Sequence, residues 1–282
     1  MLGKLLKYEF RATGRSMLPV LGVLTLLVLL ANISVRLLDR QAGAFLTILL
    51  IMVIFLTVIA VIVSELLPII VMIQRFHKNL LAGEGYLMHT LPVSVHSLVW
   101  SKLIVSLVWM LLTNVIIVLL GGLSVMHLTN MNLGAVLEGF PSVEELRQFL
   151  SSVGLSMGDL YLFLGEMVVA VVLSGIVTCL QFYAAMSLGF SFTNHKGLMS
   201  VLAFIGISLA FQIIGSTVFS GLVKTGSVDL VVQSIEDLAQ TASGAVRVAN
   251  SAVGSSLLLE VLQGVVLYII TAMSLNKKLN LA

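Results

Sequence analysis

Three acids interrupt otherwise apolar stretches: Glu65, Glu166 and Glu260. A charge at the bilayer centre costs at least ~2.5–3.5 kcal/mol on insertion scales, so such residues face a cavity, a partner or the headgroups. One arrangement is a polar stripe along a translocation path, with Asn114, Gln181, Gln212 and Gln263 as its neutral members. The other puts Glu166 and Glu260 at headgroup depth near the outer ends of their runs. Glu65, one turn before Pro68, then lies in helix that is leaving the lipid. The histidines (His77, His89, His96, His127, His195) lack metal-ligand spacing, and no metal site is expected. Cys179 is the lone cysteine and lies in an apolar run, where it reads as a small core or lipid-facing residue. The chain has no G-x-x-x-x-G-K-[ST] phosphate loop, no H-E-x-x-H and no nucleophile–base set. It reads as no enzyme in its own right, and any ATP it uses is bound by another chain.

The elements that position these residues follow from hydropathy. Of 282 residues, 59% are hydrophobic and 10% charged, against about 25% charged in an ordinary soluble domain. Mean hydropathy is +1.13. A globule needs a polar shell that this chain cannot supply, so lipid is the expected solvent. A net charge of +2 is too small to point to nucleic acid. The expected fold is all-α and polytopic, one permease-like domain over 1–282 with six spans of roughly 20 apolar residues or more. They run Met17 to Leu38, Ala44 to Ile73, Leu98 to Leu120, Leu160 to Phe190, Leu198 to Leu222 and Ser255 to Leu275. The second exceeds one crossing and is expected to project from the lipid or bend at Pro68.

Before the first span, Leu2, Leu5, Leu6 and Phe10 share one helical face, and Lys4, Lys7, Arg11 and Arg15 gather on the other. Residues 1–16 therefore read as an amphipathic interfacial helix beside anionic headgroups, rather than as a signal peptide. With this end inside, the inner segments also collect Arg75, Lys78, Lys102, Lys196, Lys277 and Lys278, twice the cations of the outer ones. Both termini are then cytoplasmic. The outer segments are 121–159 and 223–254. In the first, Ser142-Val143-Glu144-Glu145 predicts a capping box, followed by Val143, Leu146, Leu150 and Val153 at helical spacing. In the second, Val231, Ile235, Leu238 and Ala242 predict another external helix. Such helices shield the outer mouth or gate an exit. Gly206 and Ala210 form a small-x-x-x-small pair that admits close helix approach.

The stretch from Gln74 to Lys102 lies between the second and third spans. A helix-length run breaks at Gly83 and Gly85, Tyr86 to Leu91 ends at Pro92, and Ser94 can cap the third span. Lys102 falls on that span's first turns, where it is expected to snorkel to the interface. Residues 74–97 thus read as a helical knob between two long helices, on which a partner could push.

This stretch resembles the coupling segment of ABC-2 type ABC transporter permeases, in particular those of Gram-positive bacteria. The residues that carry the likeness are Phe76-His77-Lys78-Asn79-Leu80, Glu84-Gly85-Tyr86-Leu87, Thr90-Leu91-Pro92-Val93-Ser94 and Lys102. Tyr86 stands where the family usually has threonine. The match in detail covers roughly a tenth of the chain. The resemblance implies a membrane subunit of an exporter in the bacterial plasma membrane. A second permease chain, identical or different, would pair with it through contacts that include the first and fifth spans, which makes Gly206 and Ala210 interface candidates. Separate ABC ATP-binding subunits would carry ATP and Mg and dock on Lys78, Glu84, Gly85, Tyr86, Leu87, Leu91 and Pro92. The exported substrate would be a peptide or antimicrobial, a lipid, a drug or a glycan precursor. Two other readings stand beside it: a proton-coupled secondary transporter using Glu65, Glu166 or Glu260, and a non-transporting scaffold or sensor whose knob recruits a cytoplasmic partner.

Overall fold

The computed structural model describes residues 2–38, 43–81, 94–128, 142–152, 155–192, 194–224 and 242–277. Among them there are helices and no strands. In chain order these are α1 (Leu2–Leu38), α2 (Ala44–Phe76), a π-helical turn (His77–Leu81), α3 (Val95–Leu128), α4 (Val143–Ser152), α5 (Met157–Gly189), α6 (Lys196–Lys224) and α7 (Ala242–Lys277). Six of them, all but α4 and the π-turn, are long and apolar enough to cross a membrane. Their outward faces carry large apolar side chains, as on α2, where Phe45, Ile48, Phe55 and Ile62 are exposed. Lipid is the medium that solvates such faces without penalty, and the chain is a multi-pass membrane protein.

The chain divides into two units, Met1–Phe140 and Pro141–Ala282. In the first, α1 contacts both α2 and α3. The Thr57 hydroxyl of α2 donates to the Leu27 carbonyl of α1 at 3.1 Å, and Asn79 meets Glu9, so α1 and α2 run antiparallel. Glu9 also meets Lys102 and Thr13 meets Trp109, so α1 and α3 run parallel. Met17, Leu21, Leu24, Val28, Val105 and Trp109 form the core of this unit.

The expectation of a separate interfacial helix over 1–16 needs revision in form: α1 is one helix from Leu2, and it passes through Pro19. The reason is a continuous buried stripe. Glu9, Thr13, Met17, Leu21, Leu24, Val28 and Ala31 follow at steps of three or four, so the basic segment and the span share one packed face. The basic side chains Lys4, Lys7, Arg11 and Arg15 stay exposed. Similarly, α2 continues through Pro68, which lies on its buried face with Ser64, Met72 and Phe76.

In the second unit, α5 packs on α6 and on α7. Gln181 donates to the Ser208 hydroxyl at 2.6 Å, and Phe182 stacks on Phe204 with centroids 4.7 Å apart. The α5–α6 turn is tight enough that a Cβ added at Gly189 would overlap the Ser200 backbone. At the same end the Ser274 hydroxyl of α7 donates to the Ser187 carbonyl at 2.8 Å. The capping box before α4 is formed: the Ser142 amide donates to Glu145 Oε2 at 2.7 Å, and the Glu145 amide to Ser142 Oγ at 3.2 Å. Of the second expected outer helix, residues 227–241 lie outside the described residues, and the remainder belongs to α7.

Candidate functional site

The polar centre of the first unit is Glu9. It is buried on α1, and three elements converge on its carboxylate. Lys102 Nζ of α3 lies 2.7 Å from Oε1, in an ion pair whose lysine side chain is 3% exposed. Asn79 Nδ2, on the π-turn, donates to the same oxygen at 3.4 Å. The Arg75 guanidinium, near the end of α2, lies 4.0 Å from Oε2. One turn along α1, the Thr13 hydroxyl donates to the Glu9 carbonyl at 2.8 Å and accepts from Trp109 Nε1 at 2.9 Å. Phe10 completes the contact, its ring centroid 6.4 Å from that of Trp109.

Local structure explains why these groups meet. The stripe that buries Met17 and Leu21 also carries Thr13 and Glu9, so the acid is drawn into the helix contact by its neighbours' apolar burial. At the end of α2 the wider π-turn allows three consecutive residues, Asn79, Leu80 and Leu81, to be buried together. π-turns of this kind recur at functional sites. An isolated charge here would be prohibitive, and the carboxylate is tolerated because a cation and an amide meet it.

Lys102 therefore does not snorkel. Its ammonium is held inward by Glu9, because a buried carboxylate at hydrogen-bond distance outweighs the interface. Glu9 itself is the residue that the motif-based reading overlooks. Its signal is positional: an acid on a basic helix, in the row that continues as Thr13, Met17 and Leu21.

The cluster draws on both helices that flank residues 82–93: Asn79 on the π-turn and Lys102 on α3. The described residues end at Leu81 on the π-turn and resume at Ser94, whose hydroxyl accepts from the Ser97 amide at 3.3 Å. Lys78 is exposed on the π-turn. Glu84, Gly85, Tyr86, Leu87, Leu91 and Pro92 lie outside the described residues.

The candidate path residues divide between the units. In the first, Glu65 is half-buried on α2, and Asn114 is exposed, donating to its own helix at the Met110 carbonyl, 2.9 Å away. In the second, Gln181 is engaged with Ser208, Gln212 is exposed and Gln263 half-buried. Glu166 on α5 faces Gly254 on α7, and Glu260 follows further along α7. One carboxylate oxygen of each is buried and meets no hydrogen-bond partner among the described residues. Gly206 and Ala210 are exposed on α6, and a Cβ at Gly206 would meet nothing. No cluster of metal-ligating side chains occurs among the described residues. The chain matches no protein-family model, no curated protein and no solved structure.

Proposed function

We propose that this chain is the membrane-spanning permease subunit of an ATP-driven exporter of the ABC-2 type. It pairs with a second permease chain and with separate ATP-binding subunits in a bacterial plasma membrane, its termini cytoplasmic. The observation that carries the reading is the ordered set Glu84-Gly85-Tyr86-Leu87, Thr90-Leu91-Pro92-Val93-Ser94 and Lys102 between the second and third spans. The arrangement around Glu9 supports it. A knob that transmits force needs stiff roots, and both roots of 82–93 are tied to one buried carboxylate on a third helix. Glu84 is the polar contact with the ATPase, and Tyr86, Leu87 and Leu91 are its apolar anchors. Helix α4, with its exposed acids Glu144 and Glu145, lies on the outer face. ATP and Mg belong to the partner, since this chain carries no phosphate loop.

Purification of the tagged chain in mild detergent from its native cells tests this. A Walker-motif ATPase co-purifies, and Glu84→Lys or deletion of 82–92 releases it. A preparation free of ATPase overturns the reading.

One observation favours a second reading, the proton-coupled transporter. Glu166 and Glu260 each hold a buried carboxylate oxygen without a partner among the described residues, in the helix pair α5–α7. Intramembrane acids of this kind mark proton relays. That reading requires pH-dependent flux in liposomes without any ATPase, lost in Glu166→Gln or Glu260→Gln.

A further inference from the structure

Helix α2 ends in a change of register. Ser64, Pro68, Met72 and Phe76 lie on its buried face at steps of four, the α spacing. Leu81 follows Phe76 by five residues, yet both are buried, at 4% and 0% exposed. Five residues is the π repeat, i→i+5, so the π-turn His77–Leu81 is what keeps Leu81 in the row. In an uninterrupted α-helix, at about 100° per residue, Leu81 would point about 140° away from Phe76 and leave the core.

The turn is held from outside. Well under ~1% of residues in globular proteins are π-helical, and a turn so rarely adopted persists where contacts beyond the helix favour it. Here these include the burial of Leu80 and Leu81 and the Asn79 amide's contact with Glu9 at 3.4 Å. Glu9 is fixed in its turn by Lys102 of α3 at 2.7 Å. The Arg75 guanidinium lies 4.0 Å from the other Glu9 oxygen. Arg75 precedes the change of register and Asn79 lies within it, so one carboxylate clamps α2 on both sides of the surplus residue.

We infer that the π-turn is a two-register latch. With Glu9 engaged by Lys102 and Asn79, α2 ends in the π register. When the clamp opens, the turn relaxes to the α register, which withdraws Leu81 from the core. The direction in which the chain leaves α2 then rotates by about one residue step, ~100°. The clamp joins three helices, so a shift of α1 against α3 that parts Glu9 from Lys102 re-aims the end of α2. The latch is independent of what binds residues 82–93.

The test reads thiol accessibility in the full chain, in maltoside micelles, with Cys179 replaced by alanine. A water-soluble maleimide labels Leu81→Cys slowly while Glu9 and Lys102 are present, because the position is buried. In Glu9→Gln/Lys102→Met the labelling rate rises at least tenfold. Met72→Cys, buried before the turn, stays protected in both backgrounds. Deletion of Lys78 separates a change of register from fraying. It removes the surplus residue and places Leu81 four positions after Phe76, on the α row, so Leu81→Cys stays protected even without the Glu9–Lys102 pair. Protection of Leu81→Cys in Glu9→Gln/Lys102→Met overturns the latch. Labelling of Met72→Cys in that background is a general loosening of α2 and also overturns it. Labelling of Leu81→Cys that survives the deletion of Lys78 is fraying of the helix end and overturns it equally.

Discussion

Replacing Lys102 with methionine isolates the central contact of the first unit. At an effective dielectric of about 20, unit charges 2.7 Å apart attract by about 6 kcal/mol, and charges 4.0 Å apart by about 4 kcal/mol. Desolvation costs several kcal/mol per ion and cancels most of the first sum, so the intact Glu9–Lys102 pair contributes little net stability. Its removal is asymmetric. In Lys102→Met the Glu9 carboxylate stays buried, with Asn79 at 3.4 Å and Arg75 at 4.0 Å as its remaining partners. The expected loss is about 3–5 kcal/mol, the cost of an uncompensated buried charge. Glu9→Gln removes the carboxylate that meets the buried ammonium at 2.7 Å and is also destabilising. The double variant Glu9→Gln/Lys102→Met removes both charges and recovers most of the loss. Arg75→Met, at a longer and more solvated contact, costs about 1 kcal/mol or less. Equilibrium unfolding in mixed micelles gives all four values. A Lys102→Met loss below about 1 kcal/mol, or a double variant no more stable than the singles, refutes the reasoning.

Three further outcomes follow from individual contacts. Thr13→Val leaves the Trp109 indole N–H, now 2.9 Å from the Thr13 hydroxyl, without its acceptor; about 1–3 kcal/mol is lost, with a shift in tryptophan emission. Gly189→Ala forces the α5–α6 turn apart where the Cβ overlaps the Ser200 backbone, costing about 1–3 kcal/mol, whereas Gly197→Ala, with nothing within 4 Å, leaves the melting temperature unchanged or raised. Ser142→Ala removes one half of the α4 capping box and costs that helix about 1 kcal/mol, read as faster amide exchange over 143–147.

What was legible in the sequence is what is local. Long apolar runs announce the six helices that are long and apolar enough to cross a membrane, because a lipid-facing helix is apolar all round and needs no knowledge of its neighbours. The α4 capping box was equally legible, since its donors and acceptors lie three residues apart. The Glu9–Lys102 pair was not, because its partners are 93 residues apart and each has a plausible solvated reading alone. The continuity of the basic segment with the first span is hidden for a related reason. The change from basic to apolar composition at Met17 looks like a boundary, while the buried stripe from Glu9 to Ala31 runs through it. The π-turn at His77–Leu81 has no composition of its own, so only the packing of Asn79, Leu80 and Leu81 reveals it.

The functional claim rests on contact between residues 84–92 and an ATPase. The most direct measurement places a photo-crosslinking amino acid at Glu84, and separately at Tyr86, in the native cells and identifies the adducts by mass spectrometry. One dominant adduct is expected at each position, with an ATP-binding subunit that carries a Walker motif. Adducts with other proteins only, or none at either position while the chain is present in the membrane, would contradict it.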